Sequence, residues 1–311
     1  MFHIEVPMKE ISSSAAGVAA VHDDALHNGF WSRFAWFAPA VVVLLAVTLY
    51  PTAVVLWLSV HRTRLYEVVA GVGLANYLAV FKSPAFLELS LNSLLYVFGA
   101  LAVVIPTGLA GALALQNVAR GAALIRTLLL LPWTLSMGVV GCFWLWLLNP
   151  SYGPISYLMR SLGLEPGLML GDPSLALILV IAVTAWWSFP YVVVMMSASL
   201  QGIPAELYEA IDMDGGGMRT RLRHAVWPHI APTLGSTALT LAILYLTLIT
   251  LILVLTGGGP LGSTATWSFE VFSSAFRSVD LSPSSVISVV VLLVNLFLGY
   301  LYTRLTGRVS G

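Results

Sequence analysis

Charge is the first thing this sequence lacks. Only 9% of its 311 residues are Asp, Glu, Lys or Arg, against 59% that are hydrophobic, whereas a soluble domain carries about 25% charged residues. The mean hydropathy of +0.92 agrees: water is a poor fit as the surrounding medium. The 14 basic and 14 acidic residues cancel, which removes the basic footprint that a nucleic-acid partner requires. Cysteine is represented by Cys142 alone, so neither an intrachain disulfide nor a cysteine-based zinc site can form. In its apolar run Cys142 is expected to be a small packing residue. Lysine is scarce as well. A Walker loop needs Gly-Lys followed by Ser or Thr, its amides and lysine cradling phosphates, and neither Lys9 nor Lys82 follows a glycine. ATP hydrolysis by that route is excluded.

What the chain has in quantity is long apolar runs. A bilayer-crossing helix needs about 20 mostly apolar residues, because backbone is tolerated in lipid only when its hydrogen bonds close internally. Six stretches qualify, residues 34–60, 87–115, 127–148, 174–200, 233–255 and 285–302. The fold class is therefore all-α, a polytopic six-helix membrane bundle over 34–306. Residues 1–33 form a polar N-terminal extension without the basic-then-apolar layout of a signal peptide, and 307–311 a short tail. With the N-terminus inside, Lys9, Arg33, Arg120, Arg126, Arg219, Arg221, Arg223, Arg304 and Arg308 fall on the inner side. Arg62, Arg64, Lys82, Arg160 and Arg277 fall outside. That asymmetry predicts both termini in the cytoplasm. The spans are read as free of Asp, Glu, Lys and Arg, which disfavours an ion-coupled secondary carrier, since such carriers keep ionisable groups there at about 2.5–3.5 kcal/mol or more each. An evident repeated half-bundle is missing too. Without a clustered acid, base or nucleophile a membrane enzyme is disfavoured. His61, His224 and His229 lack metal-site spacing and are expected in loops or at interfaces.

The loop between the fourth and fifth spans is the most legible local element. Pro204 suits a first helical position, and Glu206 and Glu209 favour the positive end of the helix dipole. Ile203, Leu207 and Ile211 recur every four residues as an apolar stripe. Gly215, Gly216 and Gly217 then end the helix and permit a reversal, and a basic segment follows until Pro228 and Pro232 interrupt the chain. A helix–turn–helix at the membrane surface is predicted.

This loop resembles the signature of the permease subunits of binding-protein-dependent ABC importers, Glu-Ala-Ala, three residues, Gly, nine residues, then Ile-x-Leu-Pro. Glu209, Ala210, Gly215 and Pro228 fall at those spacings; Ile211, Ala225 and Trp227 replace the usual Ala, Ile and Leu, and Gly216 stands where alanine is common. Gly73-Leu74-x-Asn76-Tyr77 with Phe86 and Asn92-Ser93 also resembles the carbohydrate branch of that family. So do Leu131-Pro132 with Trp144 and Gly153, and Leu255 to Pro260 with Ser263-Thr264 and Ala275-Phe276. The likeness spans about residues 34–306 and lies near the maltose and glycerol-phosphate permeases.

The resemblance implies a non-catalytic transport subunit in a bacterial inner membrane. Its implied partners are a second, homologous permease in a heterodimer, two ATP-binding cassette subunits and an extracytoplasmic solute-binding protein, and it binds no cofactor itself, ATP and Mg being held by the ATPases. Glu206, Glu209, Ala210, Asp214, Gly215 and Pro228 become the candidates for coupling to the ATPase, with Glu209 facing an ATPase arginine. The run Gly257 to Pro260 becomes a flexible outer turn, and Gly258, Gly259, Pro260 and Glu270 candidates for docking the binding protein; Arg62, Arg64 and Glu67 join them. A sugar needs aromatic faces for its C–H surfaces and uncharged partners for its hydroxyls. Trp187, Ser188, Tyr191, Tyr245, Thr247 and Asn295 are the candidates to line its path. Interfacial belts and interhelical glue are the alternative roles for such residues. The solute is expected to be a di- or oligosaccharide or an amino sugar. A glycerophosphodiester is the alternative, disfavoured because the spans offer an anion no positive partner.

Overall fold

A computed structural model of the chain describes residues 36–116, 118 and 121–306. The extension at 1–33 and the tail at 307–311 lie outside the described residues, together with Lys9, Arg33, Arg120 and Arg308. The chain divides into two units, Met1–Val55 and Leu56–Gly311. In the first, the described residues belong to one apolar helix, α1 (Trp36–Ser59), whose last residues lie in the second.

The second unit continues with β1 (His61–Arg64), β2 (Glu67–Gly71), α2 (Ala75–Lys82), α3 (Pro84–Gln116), α4 (Ala122–Thr134), α5 (Met137–Leu147) and α6 (Pro154–Ser161). After a 3-10 turn come α7 (Pro173–Gln201), α8 (Ala205–Met213), α9 (Met218–Arg221), α10 (Trp227–Thr247), α11 (Thr250–Leu255), α12 (Trp267–Phe272) and α13 (Leu281–Thr306). Among the described residues five helices are long and apolar enough to cross a membrane, and the bent pair α4–α5 makes a sixth when taken as one span. The all-α bundle read from the sequence is the observed architecture.

At its centre α3 lies along α7. Close approach is set by small residues, as between membrane helices generally. A Cβ on Gly108 would stand 2.5 Å from the Cβ of Val192, and one on Gly111 3.0 Å from the ring of Phe189. The buried side chains Tyr96, Val104, Val183, Val192, Met196 and Leu241 fill the seam and its contact with α10.

Two expected spans are interrupted. The third, read as one helix over 127–148, turns by 98° between α4 and α5. Pro132 sits in the last turn of α4, Leu135 is extended, and Ser136 caps α5. The fifth, expected at 233–255, begins much earlier and breaks late. A continuous helical run covers Met218–Thr247 and stops at the extended Leu248 before α11. Pro228 and Pro232 therefore do not interrupt the chain. A π turn at Leu222–Val226 precedes Pro228, and the Trp227 N–H reaches back five residues to the Leu222 carbonyl. The wider turn makes room for a residue that has no N–H to offer. The second halves pack together: Gly141 of α5 lies so near Val254 of α11 that a Cβ would be 2.8 Å from it.

Three further expectations need correcting. Glu88 falls inside the expected second span, so the spans are not free of acid; it lies in the second turn of α3, exposed at the helix end. Cys142 is exposed, because α5 turns Met137, Val140 and Gly141 inward and leaves Gly138, Val139, Cys142, Phe143 and Trp146 on the other face. The β1–β2 hairpin was not foreseen. Its turn uses Leu65 and Tyr66, both at positive φ (50° and 66°), where glycine or asparagine is the usual signal. Thr63 fixes the hairpin to α13: its N–H donates to Ser282 Oγ at 2.7 Å, and its hydroxyl donates to Asp280 Oδ1 at 3.0 Å.

Asp172 caps α7, its Oδ1 accepting from the hydroxyl (2.6 Å) and N–H (2.8 Å) of Ser174. These bonds hold its carboxyl below the usual carboxylate range. The charge-dependent part of the cap is present at neutral pH and is lost as pH falls through that lowered value. Asp172→Ala is expected to lower the melting temperature at pH 7 and to lower it less at a pH below the titration, where the neutral carboxyl is the weaker acceptor. Gly108→Leu is expected to cost about 1–3 kcal/mol by overpacking the α3–α7 seam, read as a lower melting temperature in detergent. Gly299→Ala, which meets nothing within 4 Å, is the control.

Candidate functional site

Three places collect the residues singled out by the sequence. The first is the α8–α9 hairpin. Pro204 is the residue just before α8, one position earlier than expected, with φ −58° and ψ 138°. Ile203 and Ile211 are buried and Leu207 half-buried against the bundle, so the apolar stripe roots the hairpin as its period implies. Glu206, Glu209, Ala210 and Asp214 consequently face outward. Gly215 takes φ +72°, a backbone region that side chains disfavour, and the Gly216 N–H closes the helix end on the Ile211 carbonyl at 2.8 Å. A Cβ on Gly216 would meet Ile211 Cγ2 at 2.5 Å. Its departure from the alanine of the resembled motif thus has a steric cause. Pro228 lies apart from this tip, at the start of α10.

Two features of the hairpin were missed. Met213 and Met218, 88% and 69% exposed, put flexible apolar side chains at its tip. Arg221 reaches back to Asp212, its Nε donating at 2.9 Å and its terminal nitrogen to both carboxylate oxygens. Nine residues separate the pair, which no helical spacing rule detects.

The second place is inside the bundle. Ser188 and Tyr245 are buried and hydrogen-bond each other through their hydroxyls; Ser188 also donates to the Thr184 carbonyl at 2.7 Å. Tyr96 OH meets Thr184 Oγ1 at 3.1 Å. One buried knot of hydroxyls therefore joins α3, α7 and α10. Trp187, 8% exposed, donates from Nε1 to the Leu135 carbonyl at the α4–α5 break, at 3.2 Å. Tyr191 stacks on Trp133, ring centroids 5.0 Å apart and 21° between planes. Trp133, which sequence reasoning passed over, also lies 4.3 Å from Trp187. Thr247 is exposed at the end of α10. Asn295, on α13, has a buried Oδ1 without a hydrogen-bond partner. Of the six expected path residues, the structure joins Ser188 with Tyr245 in the knot and Trp187 with Tyr191 around Trp133.

The third place is the loop end near the β-hairpin. The glycine run expected to be flexible is held in place. Thr264 Oγ1 donates to the Gly259 carbonyl at 2.9 Å and pairs with Thr256 Oγ1 at 2.7 Å, and Gly258 is buried beneath the ring of Phe269. Gly259 and Pro260 are half-buried. Glu270 accepts a hydrogen bond from Ser274 Oγ and lines a cavity of about 1110 Å³ with Arg62, Arg64, Glu88 and Asp280. Asn92 ties this loop to α3, donating to the carbonyls of Gly262 (3.0 Å) and Ala265 (3.1 Å).

Known proteins resemble this chain in sequence and in fold. Residues 104–311 match the family described as the binding-protein-dependent transport system inner membrane component. The sn-glycerol-3-phosphate transport system permease protein UgpA of Agrobacterium fabrum is 30% identical over 83% of this chain and 88% of its own length. The trehalose/maltose transport system permease protein MalF of Thermococcus litoralis is 29% identical over 86% and 90%. A chain of the bacterial alginate ABC transporter, solved in complex with a periplasmic protein bound to an alginate pentasaccharide, superposes with a TM-score of 0.79. It covers 92% of this chain and 97% of its own at 18% identity, a likeness of fold. With an outward-facing hairpin carrying the signature residues and a family match across two-thirds of its length, the chain belongs to the binding-protein-dependent inner membrane permeases of ABC importers.

Proposed function

We propose that this chain is one of two membrane-spanning subunits of an ATP-driven importer for a sugar, a di- or oligosaccharide or an amino sugar. The observation that carries this reading is the α8–α9 hairpin: rooted by Ile203 and Ile211, turned at Gly215, and presenting Glu206, Glu209, Ala210 and Asp214 with Met213 and Met218 at its tip. Such a surface suits a cleft on an ATPase subunit, and it transmits motion only if it fits the open and ATP-closed forms of that subunit differently. ATP and Mg are held by two ATPase partners, and this chain supplies no catalytic group. The other half of the pathway comes from a homologous permease, and both termini lie on the hairpin side, in the cytoplasm. Residues 1–33 and 307–311 flank the transport domain on that side.

The solute reading rests on chemistry inside the bundle. The buried polar groups that join α3, α7 and α10 are hydroxyls, suited to neutral partners, and the Trp133–Tyr191 stack offers aromatic faces of the kind sugars use. Ser188 and Tyr245 reach a solute only when α7 and α10 part, since they are covered here. Tyr191 and Thr247, which are not buried, are the first groups met, and Asn295 follows once its buried Oδ1 is uncovered. A glycerol-linked phosphate is the second reading, favoured by the glycerol-phosphate relative. On the outer side, the binding protein docks on the Gly259–Pro260 turn and on the charged cavity beside Glu270.

Membrane vesicles separate these readings. Uptake is expected to persist when proton and sodium gradients are collapsed with ATP held constant; its loss would point to an ion-coupled carrier. Glu209→Arg combined with Gly215→Pro is expected to abolish uptake and release the ATPase, an interfacial charge reversal costing tenfold or more, roughly. Full activity in that variant would rule out coupling through the hairpin. Tyr191→Ala is expected to raise the solute concentration for half-maximal uptake about three- to tenfold, as the loss of an aromatic contact implies, with trehalose, maltose and glycerol 3-phosphate compared as solutes.

A further inference from the structure

The three glycines that let the hairpin reverse bring no side chains to hold it. Glycine loses the most conformational freedom on ordering, and Gly217, which precedes α9, has an extended backbone and no side-chain cap to offer. A Cβ there would meet nothing within 4 Å. The backbone bonds from Gly215 to Asp212 and from Gly216 to Ile211 finish α8, and those from Thr220 and Arg221 to the Gly217 carbonyl start α9. None of these four joins one arm to the other. One hydrogen-bonded side-chain contact does, beside the apolar packing that roots α8 on the bundle. Arg221, on α9, grips the Asp212 carboxylate of α8 with two guanidinium nitrogens, the only ion pair among the described residues.

We infer that the Asp212–Arg221 pair is the clasp that fixes the two arms of the hairpin in the geometry that the ATPase subunit recognises; the inference rests on the transport reading above. Both residues are positioning residues, acting through the exposed edge formed by Glu209, Met213 and Asp214. A forked, charge-assisted contact is well suited to this, since it constrains orientation as well as distance. The pair is partly exposed, with side-chain accessibilities of 39% and 48%, so the clasp is adjustable: screened by salt and worth about fivefold at most in an equilibrium.

The test is a charge-reversal cycle in the native complex purified through a tag on this chain. Asp212→Arg, Arg221→Asp, the double reversal and the milder Asp212→Asn are compared by amide hydrogen exchange over residues 205–221 and by solute-stimulated ATP hydrolysis. Each single change is expected to speed exchange in α9 and to reduce the stimulated hydrolysis about two- to fivefold. The double reversal is expected to recover both to within about twofold. Salt near 1 M is expected to bring the unaltered complex toward the Asp212→Asn values, a convergence that a packing role would not give. Normal hydrolysis in the single variants overturns the clasp, with or without a change in exchange. So does a double reversal no better than the singles, which would mean that each residue touches the ATPase separately. If the unaltered chain brings down no ATP-hydrolysing subunit, the transport reading itself fails.

Discussion

Backbone that leaves a helix within a bilayer must find new hydrogen-bond partners, because lipid supplies none. The centre of this bundle is organised around two such exits, at Leu135–Ser136 and Leu248–Ile249. Each is answered by the protein. The Leu135 carbonyl accepts from Trp187 Nε1 and its N–H turns back to Pro132. At the other exit the Leu248 N–H donates to the Tyr245 carbonyl, and Ser268 lies near the Leu248 carbonyl at 3.5 Å. The Trp187 side chain is thus tied to a break as well as to the expected solute path, whereas Tyr245 serves the other break through its main-chain carbonyl. Replacing Trp187 changes more than a surface a sugar would touch, since it removes the donor to the Leu135 carbonyl.

The breaks also explain why α5 and α11 are paired. A short helix cannot cross a bilayer alone, and each of these is the remainder of an interrupted span. Gly141 lets them approach until Val254 fills the space a side chain would have taken. Against this broken pair stand the unbroken α3 and α7, locked at Gly108 and Gly111. The contrast puts the continuous helices at the α3–α7 seam and the interrupted ones at α4–α5 and α10–α11.

Legibility in the sequence followed the range of the physics. Spans set by length and hydropathy were readable to within a few residues at α1, α7 and α13, where nothing competes with helix propagation. The α8 helix was readable from Pro204, Glu206 and the glycines, because caps and stops are local. What depends on contacts between distant segments was not. The turn at Leu65 and Tyr66 carries no glycine or asparagine signal and is held by Thr63 against Ser282, 219 positions away. The Asp212–Arg221 pair exists only because the chain reverses between its partners. The third span's bend had a cue in Pro132, but proline alone does not distinguish a kink from a break. The π turn before Pro228 had none, since proline usually ends a helix and here the wider turn absorbs it. Cys142 was misread because an apolar run marks lipid or a partner subunit as readily as the interior of its own chain.

The hairpin and the buried hydroxyl knot are ends of one mechanical element. From Met218 the chain runs helically for 30 residues to Thr247, about 45 Å at 1.5 Å per residue. Tyr245, two residues before its end, holds Ser188 on α7. A rod of that length carries a displacement at its base to its tip unless it bends, and π turns are where helices bend. Leu222–Val226 is such a place, immediately above the clasp at Arg221. Motion of the hairpin is therefore either delivered to the Ser188–Tyr245 bond or absorbed at the π turn, and the balance depends on how firmly the hairpin's two arms are joined. On the clasp proposed above, free arms would let α9 turn about Gly217 before any displacement reached Tyr245. Clasped arms would move with the rod, and the Ser188–Tyr245 bond between α7 and α10 would be the next contact loaded.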